Sequence, residues 1–376
     1  MSGQIPEHRS STASSAVRIV LLLYTLLVIY ASWYPFSDWH SIGLSPLAYL
    51  FAPLPHYWTL FDMLTNIVGY APLGMLAIFA LYPAVRGTAA FLLAALYGIC
   101  LSGTMEAVQT FLPNRVSSNL DLIANGAGVF IGAAAGILAS RTFLEESRLL
   151  LLRRRWFSHE AGRGLVVVAL WPLAQIYPQG YLFGHGQITP ILSEWLSDWL
   201  SIPVDIGATL RYGSQLTVEQ YWLSETIITA CGVTGALLTL SCLLRTHAPK
   251  AMLVITVLAA AIMSKSLSNA LQFAPENAFT WLTPGAEGGL LLGIIMLSGL
   301  VVAPSVAQRR VAALALLISL VVVNIIPANP YFTATLQTWV QGKFLNFNGA
   351  AQFLSLLWPF IALWFLLHPV HGKTSE

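Results

Sequence analysis

Ten apolar runs follow one another along this chain, at 17–34, 60–81, 88–110, 120–140, 163–178, 222–244, 251–272, 285–303, 311–327 and 350–367. Each approaches the roughly 20 residues a helix needs to cross a hydrocarbon layer about 30 Å thick. Inside lipid every backbone N–H and C=O must be satisfied by the chain itself, which leaves helices or closed barrels. Runs of this length select helices. Charge is correspondingly scarce: 18 Lys+Arg and 16 Asp+Glu make 9% of 376 residues, against about 25% in soluble domains. A soluble fold of this size has no means of covering its surface with so few charges. The same composition, with three cysteines, excludes disordered, coiled-coil, collagen-like and disulfide-scaffold classes. The sequence predicts an all-α fold: a polytopic transmembrane helix bundle of about ten spans.

Basic residues set the expected topology, because short cytoplasmic loops collect Lys and Arg. With the N-terminus inside, the cytoplasmic segments hold Arg9, Arg18, Arg86, Arg141, Arg148, Arg153, Arg154, Arg155, Arg163, Arg245, Lys250, Arg309, Arg310 and Lys373. The outer segments hold only Arg115, Arg211 and Lys343, and Lys265 lies within a span. This alternation places the chain in a cytoplasmic (inner) membrane with both termini cytoplasmic. The first run is too long for a cleaved signal peptide and lacks a small-residue cleavage site. The Ser/Thr-rich tail 1–16 reads as disordered. The run Arg153-Arg154-Arg155 reads as a topology and anionic-lipid anchor, not a nucleic-acid patch. Cys100, Cys231 and Cys242 fall in apolar segments as small core residues.

Sliding the chain on itself gives one register. At an offset of 163, Asp62 meets Glu225, Gly69 meets Gly232 and Gln109 meets Gln272, while Gly128 and Gly132 meet Gly289 and Gly293 at 161. Tyr34-Pro35 and Tyr177-Pro178 both close the preceding run. These matches predict a parallel duplication of a four-helix unit. The expected domains are a tail 1–16, a first unit 17–140, a basic loop 141–162, a degenerate second unit 163–303 and two C-terminal helices with an outer loop, 304–376. Polar content differs between the copies: Thr229 stands where Asn66 does, and Asn269 where Glu106 does. The second copy therefore reads as scaffold.

Candidate site residues gather in the first unit. Asp62 and Asn66 open one span from the outer side, Ser102, Glu106 and Gln109 close the next, Arg115 lies in the short loop, and Asp121 and Asn125 open the fourth. Asp62/Asn66, Ser102/Glu106 and Asp121/Asn125 are i,i+4 pairs and Glu106/Gln109 is i,i+3, so each pair shares a helix face. Gly128, Gly132 and Gly136 form a small-residue stripe that permits close helix approach. Three acids and one Arg are thereby expected in a pocket at the outer membrane edge. Asp62 and Asp121 lie near helix N-termini, where the dipole favours negative charge. Glu106 lies near a C-terminus without that help, which makes it the candidate proton carrier.

The order Asp62…Asn66…Pro72-x-Gly74, Ser102-x-x-x-Glu106-x-x-Gln109, Pro113-x-Arg115 and Asp121-x-x-x-Asn125-x-x-Gly128 resembles the VanZ-like family of bacterial integral membrane proteins. The resemblance covers about 60–140, roughly a fifth of the chain. It departs at Ser118, where family members commonly carry an acid. Asn329-Pro330-Tyr331 and Asn346-Phe347-Asn348 suggest an extended, proteobacterial-type branch. The family is named for a member associated with low-level teicoplanin resistance, so the resemblance implies a role in the cell envelope and in glycopeptide tolerance.

Three accounts of the polar cluster remain open. The polar side chains bridge helices and satisfy one another, as buried polar groups must. Alternatively they bind a lipid head group or a polyprenyl-linked cell-wall precursor, with Arg115 offering a planar fork to phosphate. In the third, the chain is an intramembrane enzyme with Glu106 as general acid/base and Asp62 and Asp121 orienting substrate or holding a divalent ion. A transporter draws its support from Lys265. His40, His56 and His185 lack ligand spacing, so no metal site and no cofactor is expected. No phosphate loop or dinucleotide fingerprint occurs. Ser193-Glu194-Trp195-Leu196-Ser197-Asp198-Trp199-Leu200 reads as an amphipathic interfacial helix with its tryptophans four apart.

Overall fold

A computed structural model of the chain describes residues 15–34, 36–41, 43, 45–55, 58–113, 115–144, 148–158, 161–214, 216–327 and 345–368. The tail 1–14, His56, and the loop 328–344 with Asn329-Pro330-Tyr331 lie outside the described residues, as do the side chains of Asn346-Phe347-Asn348. Thirteen α-helices form among the described residues, and no strand; a lone antiparallel bridge joins Phe157 and Leu244. Eight of the helices are long and apolar enough to cross a membrane. Two shorter apolar helices, Ala161–Ala174 and Pro284–Leu300, stand where the sequence places its fifth and eighth spans. The protein is a polytopic helical bundle of the membrane. The chain divides into two compact units, at Arg153/Arg154.

The first unit contains α1 (Ser15–Trp33), a 3-10 turn (Ala48–Phe51), α2 (Leu60–Leu81), α3 (Gly87–Gln109) and α4 (Asn119–Leu144), and the unit boundary falls within the short α5 (Arg148–Trp156). The sequence suggests a basic loop over 141–162; α5 occupies part of it. Exposed Leu92, Leu96, Ile131 and Leu138 leave apolar side chains on the outside of the unit, as lipid-facing helices do. The closest packing joins α2 to α4. A Cβ on Gly132 would collide with the carbonyl of Ala71, and one on Gly128 with that of Ile67. From the other side, a Cβ on Gly74 would meet the Val129 carbonyl. Only hydrogen at these positions lets the two backbones touch. Pro72, inside α2, has no N–H to give, and proline is tolerated in membrane helices where neighbours satisfy the freed groups.

The second unit contains α6 (Ala161–Ala174), α7 (Thr189–Leu200), α8 (Ile206–Leu210), α9 (Val218–Ser241), α10 (Lys250–Phe273), α11 (Pro284–Leu300), α12 (Ser305–Ile325) and α13 (Leu345–Leu367). Its centre is α9, buried at nearly every position from Ile228 to Ser241. Small residues allow that burial: Gly232 faces the Phe183 backbone and Gly235 faces Leu316. Gly285, Gly289 and Gly293 of α11 lie on α9 at Trp222, Thr226 and Ala230. This is the same four-residue stripe that α4 lays on α2. The helix starts are capped where the sequence offers Ser or Thr. Thr217 and Gln220 make a reciprocal capping box at α9, and Thr283 accepts from Ala286 N at α11. Trp195 and Trp199 on α7 are 77% and 81% exposed, which leaves the expected amphipathic face uncovered within this unit.

Candidate functional site

The first unit collects its polar side chains at the end where α1 and α3 finish and α2 and α4 begin. Both starting helices are capped by the same local device. Thr59 Oγ1 accepts from Asp62 N at 3.1 Å and donates to Asp62 Oδ2 at 2.6 Å. Ser118 Oγ accepts from Leu120 N at 3.1 Å and from Asp121 N at 3.3 Å. Asp62 and Asp121 thus sit at the third position of their helices, where the dipole favours a carboxylate by about 0.3–1 kcal/mol. Ser118 therefore serves as the cap of α4.

Asp121 reaches across to α2, accepting from Asn66 Nδ2 at 2.9 Å. One turn deeper, Asn125 Nδ2 donates to Ser102 Oγ at 3.0 Å, both side chains buried. Glu106 is 4% exposed. Its Oε2 accepts from Ser118 N at 2.8 Å, and its backbone carbonyl accepts from Ser117 Oγ at 2.8 Å. The α3–α4 loop is therefore folded onto Glu106. Asp121 lies within electrostatic reach of both Glu106 and Asp62. Three carboxyls accordingly step inward: Asp62 exposed, Asp121 half-buried, Glu106 buried.

Gln109 and Arg115 go elsewhere. Gln109 Nε2 donates to Ser32 O at 2.9 Å. Arg115 donates from Nε to Tyr34 O at 3.2 Å, and from one terminal nitrogen to Tyr34 O at 2.9 Å and Ala31 O at 3.4 Å. These are the last carbonyls of α1, which have no intrahelical partner. A cation and an amide at a helix C-terminus satisfy them and complement the dipole. The eight candidate residues thus separate into an acid-rich cluster of six and a pair that ties α1 to the α3–α4 end. Arg115→Ala is expected to cost roughly 1 kcal/mol of stability through this cap, seen as a lowered thermal unfolding midpoint in detergent.

Two tyrosines escape the motif. Tyr49, in the turn between α1 and α2, is buried and donates to Gly103 O at 3.1 Å. Burial pushes its phenol above the ordinary value, and the nearby Glu106 carboxyl adds to the shift, so it stays a proton donor at neutral pH. Tyr70, buried on α2, places its hydroxyl beside Ser102, with Glu106 and Asp121 in electrostatic reach. Tyr49 stands outside the polar i,i+4 pattern that marks the other residues, whereas Tyr70 continues it, four residues past Asn66. Among the described residues no three His, Cys, Asp or Glu side chains converge as metal ligands.

The family model described as VanZ/LLP1 matches residues 13–140. Over this segment, about a third of the chain, it is similar to the VanZ/LLP1 family. The VanZ-like segment begins well before 60, where the motif resemblance starts, and takes in α1. The Gln109 and Arg115 contacts give the reason: α1 is fastened into the unit by residues of the motif itself. The whole acid cluster falls inside the VanZ-like unit. No curated protein and no solved structure matches the chain.

Proposed function

We propose that the VanZ-like unit binds the polar head of a membrane lipid or polyprenyl-linked cell-wall precursor at the outer face of the inner membrane, with a role in envelope-stress or glycopeptide tolerance. The observation that carries this reading is the inward staircase Asp62, Asp121, Glu106, which opens at an exposed carboxylate and ends at a buried one. Carboxylates and the Asn66 and Asn125 amides favour a ligand rich in hydrogen-bond donors, such as an ammonium or sugar hydroxyls. Because Arg115 donates to α1, the phosphate fork suggested by sequence gives way to this donor-seeking cluster. The orientation rests on the basic-residue bias.

The second unit, on this reading, is a diverged copy that retains the framework. Gln272 Nε2 donates to Ile176 O at 3.0 Å, just past the end of α6, as Gln109 does to Ser32 at the end of α1. The α9/α11 glycine stripe supports the same reading.

Native mass spectrometry of the purified protein tests the binding. Wild type is expected to retain an amine- or sugar-headed lipid, and Asp121→Asn and Glu106→Gln to lose it while remaining folded. Retention of the same lipid by both variants would sink the assignment. A lipid of changed mass after incubation with wild type, absent with Glu106→Gln, would instead favour the enzymatic reading with Glu106 as general acid/base.

A further inference from the structure

The contacts that fold the acid cluster of the first unit leave it with acceptors to spare. Hydrogen bonds link it at two depths. Nearer the outer end, Asn66 Nδ2 occupies Asp121 Oδ1, and Ser118 ties Asp121 to Glu106: its N–H donates to Glu106 Oε2 and its hydroxyl accepts from Asp121 N. One turn deeper, Tyr70 follows Asn66 on α2, Asn125 follows Asp121 on α4 and Ser102 precedes Glu106 on α3. There Asn125 Nδ2 occupies Ser102 Oγ. The Asn66 and Asn125 amide nitrogens and the Ser118 N–H thus already donate within the protein.

The oxygens that remain are different. Asn125 is 5% exposed, and its Oδ1 is buried without a hydrogen-bond partner. Tyr70 is 7% exposed, and its hydroxyl is likewise without one. Asp121 Oδ2 and Glu106 Oε1 accept from no described residue. A buried acceptor left unpaired is costly, and so is a carboxylate without a counter-charge. Among the described residues no Lys, Arg or His pairs with Asp62, Asp121 or Glu106, and Arg115 is turned to the carbonyls of α1.

These vacant oxygens call for a positive group that donates several hydrogen bonds from one atom. A primary ammonium has three N–H donors and no acceptor. A sugar hydroxyl has one donor, lone pairs of its own and no charge, so it leaves the carboxylates uncompensated. A quaternary ammonium brings the charge without a donor. We propose that the first unit takes the primary ammonium of an aminophospholipid head, of the phosphoethanolamine type, between Asp121 Oδ2 and Glu106 Oε1 with Asn125 Oδ1 as the third acceptor. Contacts between ammonium and carboxylate are charge-assisted and strengthen away from water. The exposed Asp62 carboxylate draws the cation in from the outer edge. This assignment rests on the lipid-head reading of the site and names the head.

Native mass spectrometry of the full chain, delipidated in detergent and then given an equimolar mixture of lipids with identical acyl chains, tests this. The mixture holds phosphatidylethanolamine, phosphatidylcholine, phosphatidylglycerol and a glucosyl diacylglycerol. Wild type is expected to hold phosphatidylethanolamine at least about tenfold over each of the others. Phosphatidylcholine differs from it only by methylation of the nitrogen, so that pair reads the N–H donors alone. Asn125→Leu removes the third acceptor and should lower bound phosphatidylethanolamine by about tenfold. Equal binding of the choline or glycerol lipid overturns the ammonium assignment. Preference for the glucosyl lipid overturns it too, while leaving a lipid-head site in place; retention of no lipid removes both readings. Undiminished binding by Asn125→Leu also overturns the proposal. Should Asn125→Leu not fold, Glu106→Gln takes its place: a lost preference for ethanolamine over choline supports the site, and an unchanged one overturns it.

Discussion

Gly132→Leu is expected to prevent the VanZ-like unit from assembling. Any Cβ at this position strikes the Ala71 carbonyl, and the two flanking contacts, Gly128 on Ile67 and Gly74 on Val129, are backbone contacts as well. Backbone has no rotamer with which to give way, so the helices must separate. Overpacking by a few methylenes in a core that can adjust costs about 1–3 kcal/mol. Here the separation also loosens Val129 and Leu73, both at 0% exposure, and parts Asn66 from Asp121. The total is expected above about 3 kcal/mol, enough to abolish accumulation of the protein in the membrane. Gly126→Ala serves as the internal standard, because a Cβ there would meet only Ile99 Cγ1, at 3.9 Å. Wild-type abundance for Gly126→Ala beside loss of Gly132→Leu is the expected pattern. Equal abundance of the two would contradict the backbone contact.

The contrast between those glycines marks where sequence is legible. The apolar runs fix the helices because their length is tied to membrane thickness, and the i,i+4 pattern places Asn66, Asp121, Ser102 and Asn125 on faces that meet. The glycine stripe on α4 announces a close approach, though not that its partner is α2 in place of α3. Ser118 and Asp121 carry a local signature, Ser-x-x-Asp before an apolar run, as do Thr59 and Asp62. Capping is readable from that spacing. Gln109 and Arg115 are different. Their partners lie 77 and 81 residues earlier, and no periodicity links a loop arginine to the end of a distant helix. Tyr49 is hidden for the same reason. In the second unit only the Asp62 position keeps an acid, as Glu225, while Asn269 replaces Glu106 and no acid aligns with Asp121, which makes it read as scaffold. Its buried polar groups are spread over α9, α10, α12, α13 and the non-helical segment before α7.

Glu106 is where structural and functional demands can be separated by experiment. Its carboxylate accepts from Ser118 N, the amide at the start of α4, within a buried setting. Glu106→Leu removes the acceptor and leaves that N–H without its partner. An unsatisfied backbone group costs about 1–3 kcal/mol in a protein interior and several kcal/mol at membrane depth. The expected loss is about 3 kcal/mol, with fraying of the α4 start visible as faster amide exchange at 118–122. Glu106→Gln keeps an oxygen for Ser118 and removes the charge, so its unfolding midpoint should stay close to wild type. If Glu106 serves only to hold the loop, the glutamine variant keeps both its stability and its bound lipid. If the inward row of carboxyls is a binding site, the glutamine variant keeps stability and loses the lipid. Equal destabilisation by Gln and Leu would show that the charge, not the Ser118 hydrogen bond, holds the loop. That result would exclude Glu106 as a residue whose folding role is met by an amide.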